Sequence, residues 1–169
     1  MDWINYFRGI SHQIKLKSKD ERTQIGALIV GKDNEIVSSG YNSFPRGIID
    51  TVKERQERPE KYYWFEHAER NAIYNAARIG VSTKGCTMYL TCGIPCSDCC
   101  RGIINAGIAT IYCEREGGAK GELWDEHSKR SIQMFKEAEI HRETPVSEFW
   151  LDKLRGLFDV WKSSKVYKI

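Results

Sequence analysis

The chain has 169 residues, of which 41% are hydrophobic, 29% charged and 11% aromatic, a composition that suits one globular domain and excludes a mostly disordered chain. The net charge of +3 is too balanced for a polynucleotide-coating protein or a polybasic membrane anchor. The longest apolar runs, such as residues 27–30, are far shorter than the ~20 residues that span a bilayer. No secretory signal is visible either. We therefore expect a cytoplasmic protein without membrane attachment.

Hydrophobic periodicity divides the chain into helices and strands that alternate after an initial hairpin. Helices are predicted over residues 2–17, 68–79, 95–106, 125–138 and 147–162, and strands over 25–30, 36–39, 87–91, 108–113 and a short segment near 140. The charged stretch 50–63 is interpreted as a surface insertion without chemistry. This order predicts a three-layer α/β domain over residues 1–169, with its core at about 18–142 and a C-terminal helix at about 147–162.

Two short motifs predict a metal site. In a reducing compartment, the cysteines crowded into residues 92–100 are expected to be metal ligands or buried thiols. Pro95 at a helix start places Cys96 and Cys99 in the first turn, on one face, where the helix dipole favours thiolates. With the imidazole of His67 they offer three ligands to a tetrahedral zinc ion and leave one position for water.

The carboxylate of Glu69 completes the predicted chemistry. Zinc lowers the pKa of a bound water to about 7, and Glu69 would take its proton and pass it to a ring nitrogen and then to the leaving amine. His67 and Glu69 can converge only if their helix begins at about His67. The pattern H-x-E…P-C-x-x-C is the signature of zinc nucleobase deaminases. The alternative is a closed structural zinc module, with Cys92 or Cys100 as a fourth ligand.

The sequence around these motifs resembles the cytidine deaminase superfamily, and most closely its deoxycytidylate (dCMP) deaminases. The likeness covers about residues 18–109 and includes Gly40-Tyr41-Asn42 and Asn71-Ala72-Ile73. The resemblance implies an α/β/α sandwich with a five-stranded mixed sheet. It also implies hydrolysis of dCMP to dUMP and ammonia, by attack of zinc-bound hydroxide on the pyrimidine C4. One zinc ion per chain would be held by the ligands named above, with Glu69 as the catalytic residue.

The resemblance further suggests how substrate and effectors are bound. Asn42 corresponds to the residue expected to hold the sugar or the base, and Ala68 is assigned to the same pocket. Three basic residues, Lys19, Arg22 and Arg46, lie in the matching loops and are candidates for phosphate contacts. Many relatives are hexamers, and the resemblance implies that this chain forms a homo-oligomer, from dimer to hexamer. They are regulated by dCTP and dTTP with Mg²⁺, and the loop 42–47 would form part of that effector site.

The sequence does not exclude substrates other than dCMP. Residues 90–94 contain one residue more than is usual in that family, so a modified deoxycytidylate, a free nucleoside or another base remains an alternative. A deaminase that edits tRNA or single-stranded DNA is a further alternative, against which the near-neutral charge argues. One member of the aromatic run 62–65 is a candidate to stack on the base, or else fills the core or a subunit interface.

Overall fold

The computed structural model describes residues 1–119 and 121–144, which form a five-stranded mixed sheet with helices on both faces. The helices are α1 Trp3–Lys15, α2 Lys61–Trp64, α3 Ala68–Ile79, α4 Ser97–Asn105 and α5 Glu122–Glu137, and the strands are β1 Gly26–Val30, β2 Ile36–Tyr41, β3 Thr87–Leu90, β4 Thr110–Cys113 and β5 His141–Glu143. The predicted three-layer α/β/α sandwich is confirmed. The helix predicted at 147–162 lies outside the described residues, and a single domain over 1–169 stays a prediction.

The direction of the strands decides where a site can form. The sheet order is β2-β1-β3-β4-β5, with β1 antiparallel to both neighbours and β3, β4 and β5 parallel to one another. Parallel neighbours require a crossover, and α4 and α5 supply the two crossovers. The carboxyl ends of β3 and β4 therefore share one edge, where the loops 91–96 and 114–119 lie beside each other.

Strand β1 forms the centre of the core, which explains its continuous run of apolar residues. All five of its residues are buried. Ala27 and Ile29 belong to the cluster formed with α3 and α4, whereas Leu28 and Val30 pack with Phe7 of α1 on the opposite face. Alternate side chains of a strand point to opposite faces, so β1 is covered on both sides. Among the described helices, none has the length and apolar character needed to cross a membrane.

Helix α3 is held closely against β2. The Asn71 side-chain amide donates to the Tyr41 carbonyl at 2.8 Å, and the Asn75 amide donates to the Ser39 carbonyl at 2.7 Å. Between them, Gly40 lies so near the helix that a Cβ there would overlap its backbone. These contacts fix the N-terminal end of α3, where the residues of interest are found.

Candidate metal centre and active site

The start of α3 places His67 and Glu69 on the same side of the helix terminus. His67 is the N-cap, with extended backbone angles (φ −78°, ψ 153°), and Glu69 lies in the first turn. The structure thus agrees with the expectation that this helix begins at about His67. The preceding residue, Glu66, is bridged to Ser43 by two backbone hydrogen bonds of 2.8 and 3.1 Å. The backbone that leads into His67 is therefore fixed.

The start of α4 brings the two cysteines of the second motif together. The helix begins at Ser97, two residues later than the predicted start at Pro95, and Cys96 is its N-cap (φ −64°, ψ 164°). Cys99 is then the third helical residue. An N-cap side chain naturally reaches toward the third helical position, as it does in a capping box. The two sulfurs therefore face the same point in front of the helix.

The side chains of His67, Cys96 and Cys99 form a compact set of metal donors. Their ligand atoms all lie within 4.8 Å of one another. His67 Nδ1 is 3.5 Å from Cys96 Sγ and 3.3 Å from Cys99 Sγ. In a tetrahedral zinc site with Zn–N of about 2.0–2.1 Å and Zn–S of about 2.3 Å, a nitrogen and a sulfur ligand are separated by about 3.5 Å. The donor set fits zinc in both chemistry and spacing.

Hydrogen bonds within the donor set shift the pKa values of its members in opposite directions. The hydrogen bond from Cys99, reinforced by the one from His67, lowers the pKa of the Cys96 thiol to about 4. The hydrogen bond to Cys96 raises the pKa of His67 to about 9. In contrast, burial raises the pKa of Cys100 to about 11. The hydrogen bond to Cys96 and burial also raise the pKa of the Cys99 thiol, so Cys100 is distinguished from the two ligand cysteines by where its side chain lies and not by its pKa.

Neither neighbouring cysteine joins the donor set among the described residues. The Cys100 thiol points toward α5 and donates to the Ser131 carbonyl at 3.5 Å, within the apolar core. The Cys92 sulfur lies 4.0 Å from Glu69 Oε1. A set of three protein ligands is characteristic of catalytic zinc sites, in which water takes the fourth position, and not of closed structural sites.

Glu69 lies at the bottom of a cavity of about 180 Å³ that also contains His67 and Cys96. That volume is several times the ~30 Å³ that a water molecule takes up in the liquid, so the cavity can hold an organic molecule. The Glu69 side chain is only 4% exposed, and burial raises its pKa. A carboxyl group with a raised pKa is well suited to accept and return a proton near neutral pH.

Aromatic side chains form one wall of this cavity. Tyr62 and Phe65 of the predicted aromatic run line it, while Tyr63 is 80% exposed. Trp124 of α5, which was not singled out from the sequence, lines it as well. Its ring centroid is 6.5 Å from that of His67 and 6.3 Å from that of Tyr62. A flat apolar wall beside the donor set suits a heterocyclic base.

The predicted substrate-binding residues differ in where the structure places them. Ala68 and Asn42 both line the cavity. The Asn42 side chain also stabilises the loop before β1 through hydrogen bonds. Its side-chain oxygen accepts from Ser18 Oγ at 2.8 Å and from the Ile25 amide at 2.7 Å, and its side-chain nitrogen donates to the Thr23 carbonyl at 2.7 Å. A direct contact from Asn42 to substrate therefore stays a prediction.

The three basic residues predicted to contact phosphate do not line this cavity. Lys19 and Arg46 line a second cavity, which lies beside the start of the loop 43–50. Lys19 Nζ pairs with Asp50 at 3.1 Å, and the Arg46 guanidinium donates to Asn75 Oδ1 at 2.6 Å. Arg22 is exposed on the loop before β1.

Sequence reasoning missed five charged or ionisable residues that line the main cavity: Asp20, Arg58, Lys61, Arg115 and His127. The His127 ring is hydrogen-bonded to Ser97 Oγ at 2.7 Å, beside Cys96. One signal was available, because Trp124 and His127 are three residues apart and so share a face of a helix. The others come from loops and from the short helix α2, and no local sequence pattern shows where these segments meet.

Lys61 and Asp20 form a buried ion pair, with Lys61 Nζ 2.5 Å from Asp20 Oδ2 and side chains only 9% and 5% exposed. The interpretation of residues 50–63 as a surface insertion is therefore wrong at Lys61. Asp20 also accepts from the amides of Arg22 and Thr23, at 2.9 and 3.1 Å. The pair thus fastens the segment before α3 to the loop before β1.

Replacement of Lys61 by methionine is expected to destabilise the fold by about 3 kcal/mol, because it leaves the buried carboxylate of Asp20 without its cation. Urea unfolding would measure the change. The control is Lys129→Met, in which an exposed pair with Glu126 is lost, at an expected cost below about 1 kcal/mol. Equal losses in the two variants would contradict a structural role for the buried pair.

This arrangement of donor set, buried carboxylate and aromatic wall, on a three-layer sandwich, is that of the zinc-dependent nucleobase deaminases. Residues 1–115 match the model of the cytidine and deoxycytidylate deaminase zinc-binding region. The chain belongs to this family.

Individual relatives agree with the family assignment. An uncharacterized deaminase encoded in the luxG 3′ region of Aliivibrio fischeri is 36% identical over 138 residues, which cover 82% of this chain and 90% of that protein. Human deoxycytidylate deaminase is 38% identical over 116 residues, covering 66% of this chain and 64% of the human protein. The chain thus spans slightly less than two thirds of the human relative.

The fold is also found in a solved structure of a phage enzyme. The dCMP deaminase of cyanophage S-TIM5, in its apo form, superposes with a TM-score of 0.65 at 22% identity, covering 83% of this chain and 95% of that one. At this level of identity the likeness concerns the fold alone. It matches the cytidine deaminase-like sandwich expected from the resemblance.

Proposed function

We propose that this protein is a zinc-dependent deaminase that hydrolyses dCMP to dUMP and ammonia. The observation that carries the proposal is the position of Glu69, which lies beside the donor set of His67, Cys96 and Cys99 at the bottom of one cavity. The deoxycytidylate deaminases among the relatives support dCMP as the substrate.

Each residue has a specific part in the proposed reaction. His67, Cys96 and Cys99 would hold a zinc ion, which would supply a Lewis acid able to lower the pKa of water to about 7. Glu69 takes one proton from the attacking water and delivers it to the ring nitrogen next to C4, and it then passes the second proton of that water to the amine as the bond between C4 and the amine breaks. The aromatic wall of Tyr62, Phe65 and Trp124 positions the pyrimidine and limits access of bulk water. The sum of the reaction is one water consumed and one ammonia released.

Assembly and regulation form a further part of the proposal. We expect a homo-oligomer in the cytoplasm, regulated by dCTP and dTTP with Mg²⁺, as the family resemblance implies. The second cavity, which contains the loop 43–48 with Lys19 and Arg46, supports a place for a nucleotide effector. Exposed aromatic residues at the start of α1, Trp3 at 56% and Tyr6 at 44%, support contacts between subunits.

A substrate panel tests the proposal. Ammonia release from dCMP, dCTP, 5-substituted dCMP and a cytosine-containing single-stranded oligonucleotide is expected to show the highest kcat/KM for dCMP. Deoxycytidine is expected to react at least about tenfold more slowly, because each charged hydrogen bond to phosphate contributes about 1.5–3 kcal/mol. A higher kcat/KM for the oligonucleotide would favour the editing alternative, and the highest value for a 5-substituted dCMP would favour a modified base.

A further inference from the structure

The start of helix α4 carries two of the metal donors but has no capping side chain of its own. In most helices a Ser, Thr, Asp or Asn at the N-cap accepts hydrogen bonds from the amides of the first turn. In α4 the N-cap is Cys96, which makes no side-chain capping hydrogen bond and whose sulfur belongs to the donor set. The amides of residues 97–99 also have no partner within the helix, because the first carbonyl, that of Cys96, accepts from Cys100 at 2.8 Å. A partner for this turn has to come from another element.

His127 of α5 supplies that partner. Its Nδ1 atom lies 3.4 Å from the Ser97 amide nitrogen and 2.7 Å from Ser97 Oγ. Since an amide N–H can only donate, Nδ1 is the accepting nitrogen of the ring and Nε2 carries the proton. The Ser97 hydroxyl then donates to the same nitrogen, which satisfies this buried side chain. The imidazole of His127 therefore caps the helix start that holds Cys96 and Cys99.

The packing of α5 sets the position of His127. Four residues further along the helix, the carbonyl of the fully buried Ser131 accepts from Cys100 Sγ at 3.5 Å. Three residues before His127, the ring centroid of Trp124 is 6.5 Å from that of His67. Residues three or four apart share one face of a helix. A single face of α5 thus contacts the starts of both helices that carry the donor set, and His127 lies in the middle of that face.

We infer that His127 is a positioning residue of the metal centre. By capping α4, it holds Cys96 and Cys99 at the spacing from His67 that zinc requires. Helix ends fray when their amides are unpaired, and a ligand on a frayed turn loses its fixed place. The inference rests on the zinc centre of the proposed deaminase, and it is independent of the nucleotide that the enzyme accepts.

Zinc affinity tests this role in matched variants. His127→Leu removes the accepting nitrogen and is expected to raise the dissociation constant for zinc by about 10–100-fold, as is typical of groups that support a ligand. His127→Asn keeps an acceptor near the position of Nδ1, so its dissociation constant is expected to stay within about threefold of the wild-type value. The control, His141→Leu, changes an exposed histidine of β5 that pairs with Glu143, and it is expected to have no effect. Competition with a chromogenic chelator would measure all four proteins.

The absorption spectrum of the cobalt(II)-substituted protein gives a second readout, which a loss of overall stability does not move. The bands of cobalt(II) depend on the geometry of its ligands. We expect them to shift in His127→Leu and to return to the wild-type positions in His127→Asn. Circular dichroism would verify that the variants are folded. If His127→Leu does not fold, His127→Gln replaces it, because its amide reaches the position of Nε2 and not that of Nδ1.

The outcomes separate this inference from the proposed function. Wild-type zinc affinity and an unchanged cobalt spectrum in the folded leucine or glutamine variant would overturn the inference. Equal losses in that variant and in His127→Asn would overturn it as well, since the retained acceptor would then have no effect. A protein that shows the expected pattern of zinc binding but does not deaminate dCMP would overturn the proposed function and leave the role of His127 intact.

Discussion

Replacement of Glu69 by glutamine is expected to lower kcat for dCMP by about 10²–10⁴-fold while the protein keeps one zinc ion per chain. Glutamine has the shape of glutamate but cannot take up and return a proton, so it fills the same buried place beside Cys92 without performing the transfer. Steady-state ammonia release and metal analysis by mass spectrometry would measure the two quantities.

The matched control for this variant is Glu126→Gln, which changes an exposed glutamate of α5 that forms pairs only with its helix neighbours Lys129 and Arg130 among the described residues. It is expected to leave kcat unchanged. A Glu69→Gln enzyme with full zinc and wild-type turnover would remove the assignment of Glu69 as the proton-transfer residue.

Replacement of Cys99 by serine is expected to weaken zinc binding by at least about 100-fold, more than the ~10–100-fold typical of changes in groups that only support a ligand. Cys99 Sγ lies 3.3 Å from His67 Nδ1, within the donor set. The adjacent variant, Cys100→Ser, is expected to keep near one zinc per chain, because that side chain bonds to the Ser131 carbonyl.

Zinc content after dialysis, and competition with a chromogenic chelator, would distinguish these two variants. Circular dichroism would show that both are folded. Loss of zinc in Cys100→Ser together with its retention in Cys99→Ser would mean that the wrong thiol has been assigned, and it would favour a different geometry for the metal centre.

Local sequence signals predicted most of the fold. Helix α3 matches its predicted bounds because both ends are encoded nearby: His67 occupies the N-cap, and Gly80 ends the helix with a left-handed backbone (φ 75°). The donor set was equally predictable, since two helix starts, each recognisable by itself, carry its members. Strands β1 to β4 were found because buried and half-buried strands have distinct apolar patterns, whereas β5, His141–Glu143, contains no apolar residue and lies just after the position near residue 140 where a short strand was predicted.

The polar lining of the cavity was not predictable in the same way. Asp20 and Lys61 are 41 residues apart, and only the folded chain brings them together. Lys19 and Arg46 carry the right charge for phosphate, yet Asp50 and Asn75 hold them beside another cavity. The direction of a long basic side chain depends on its tertiary partners, which a loop sequence does not specify.

The close approach of Gly93 to the loop 114–118 has a consequence for the size of the ligand that the cavity accepts. A Cβ at Gly93 would overlap the carbonyl oxygen of Gly117, so the two segments meet backbone to backbone. The separation of these two backbone segments therefore cannot change through side-chain rotamers. On this side the width of the cavity is set by the main chain, and a ligand too wide for it is excluded.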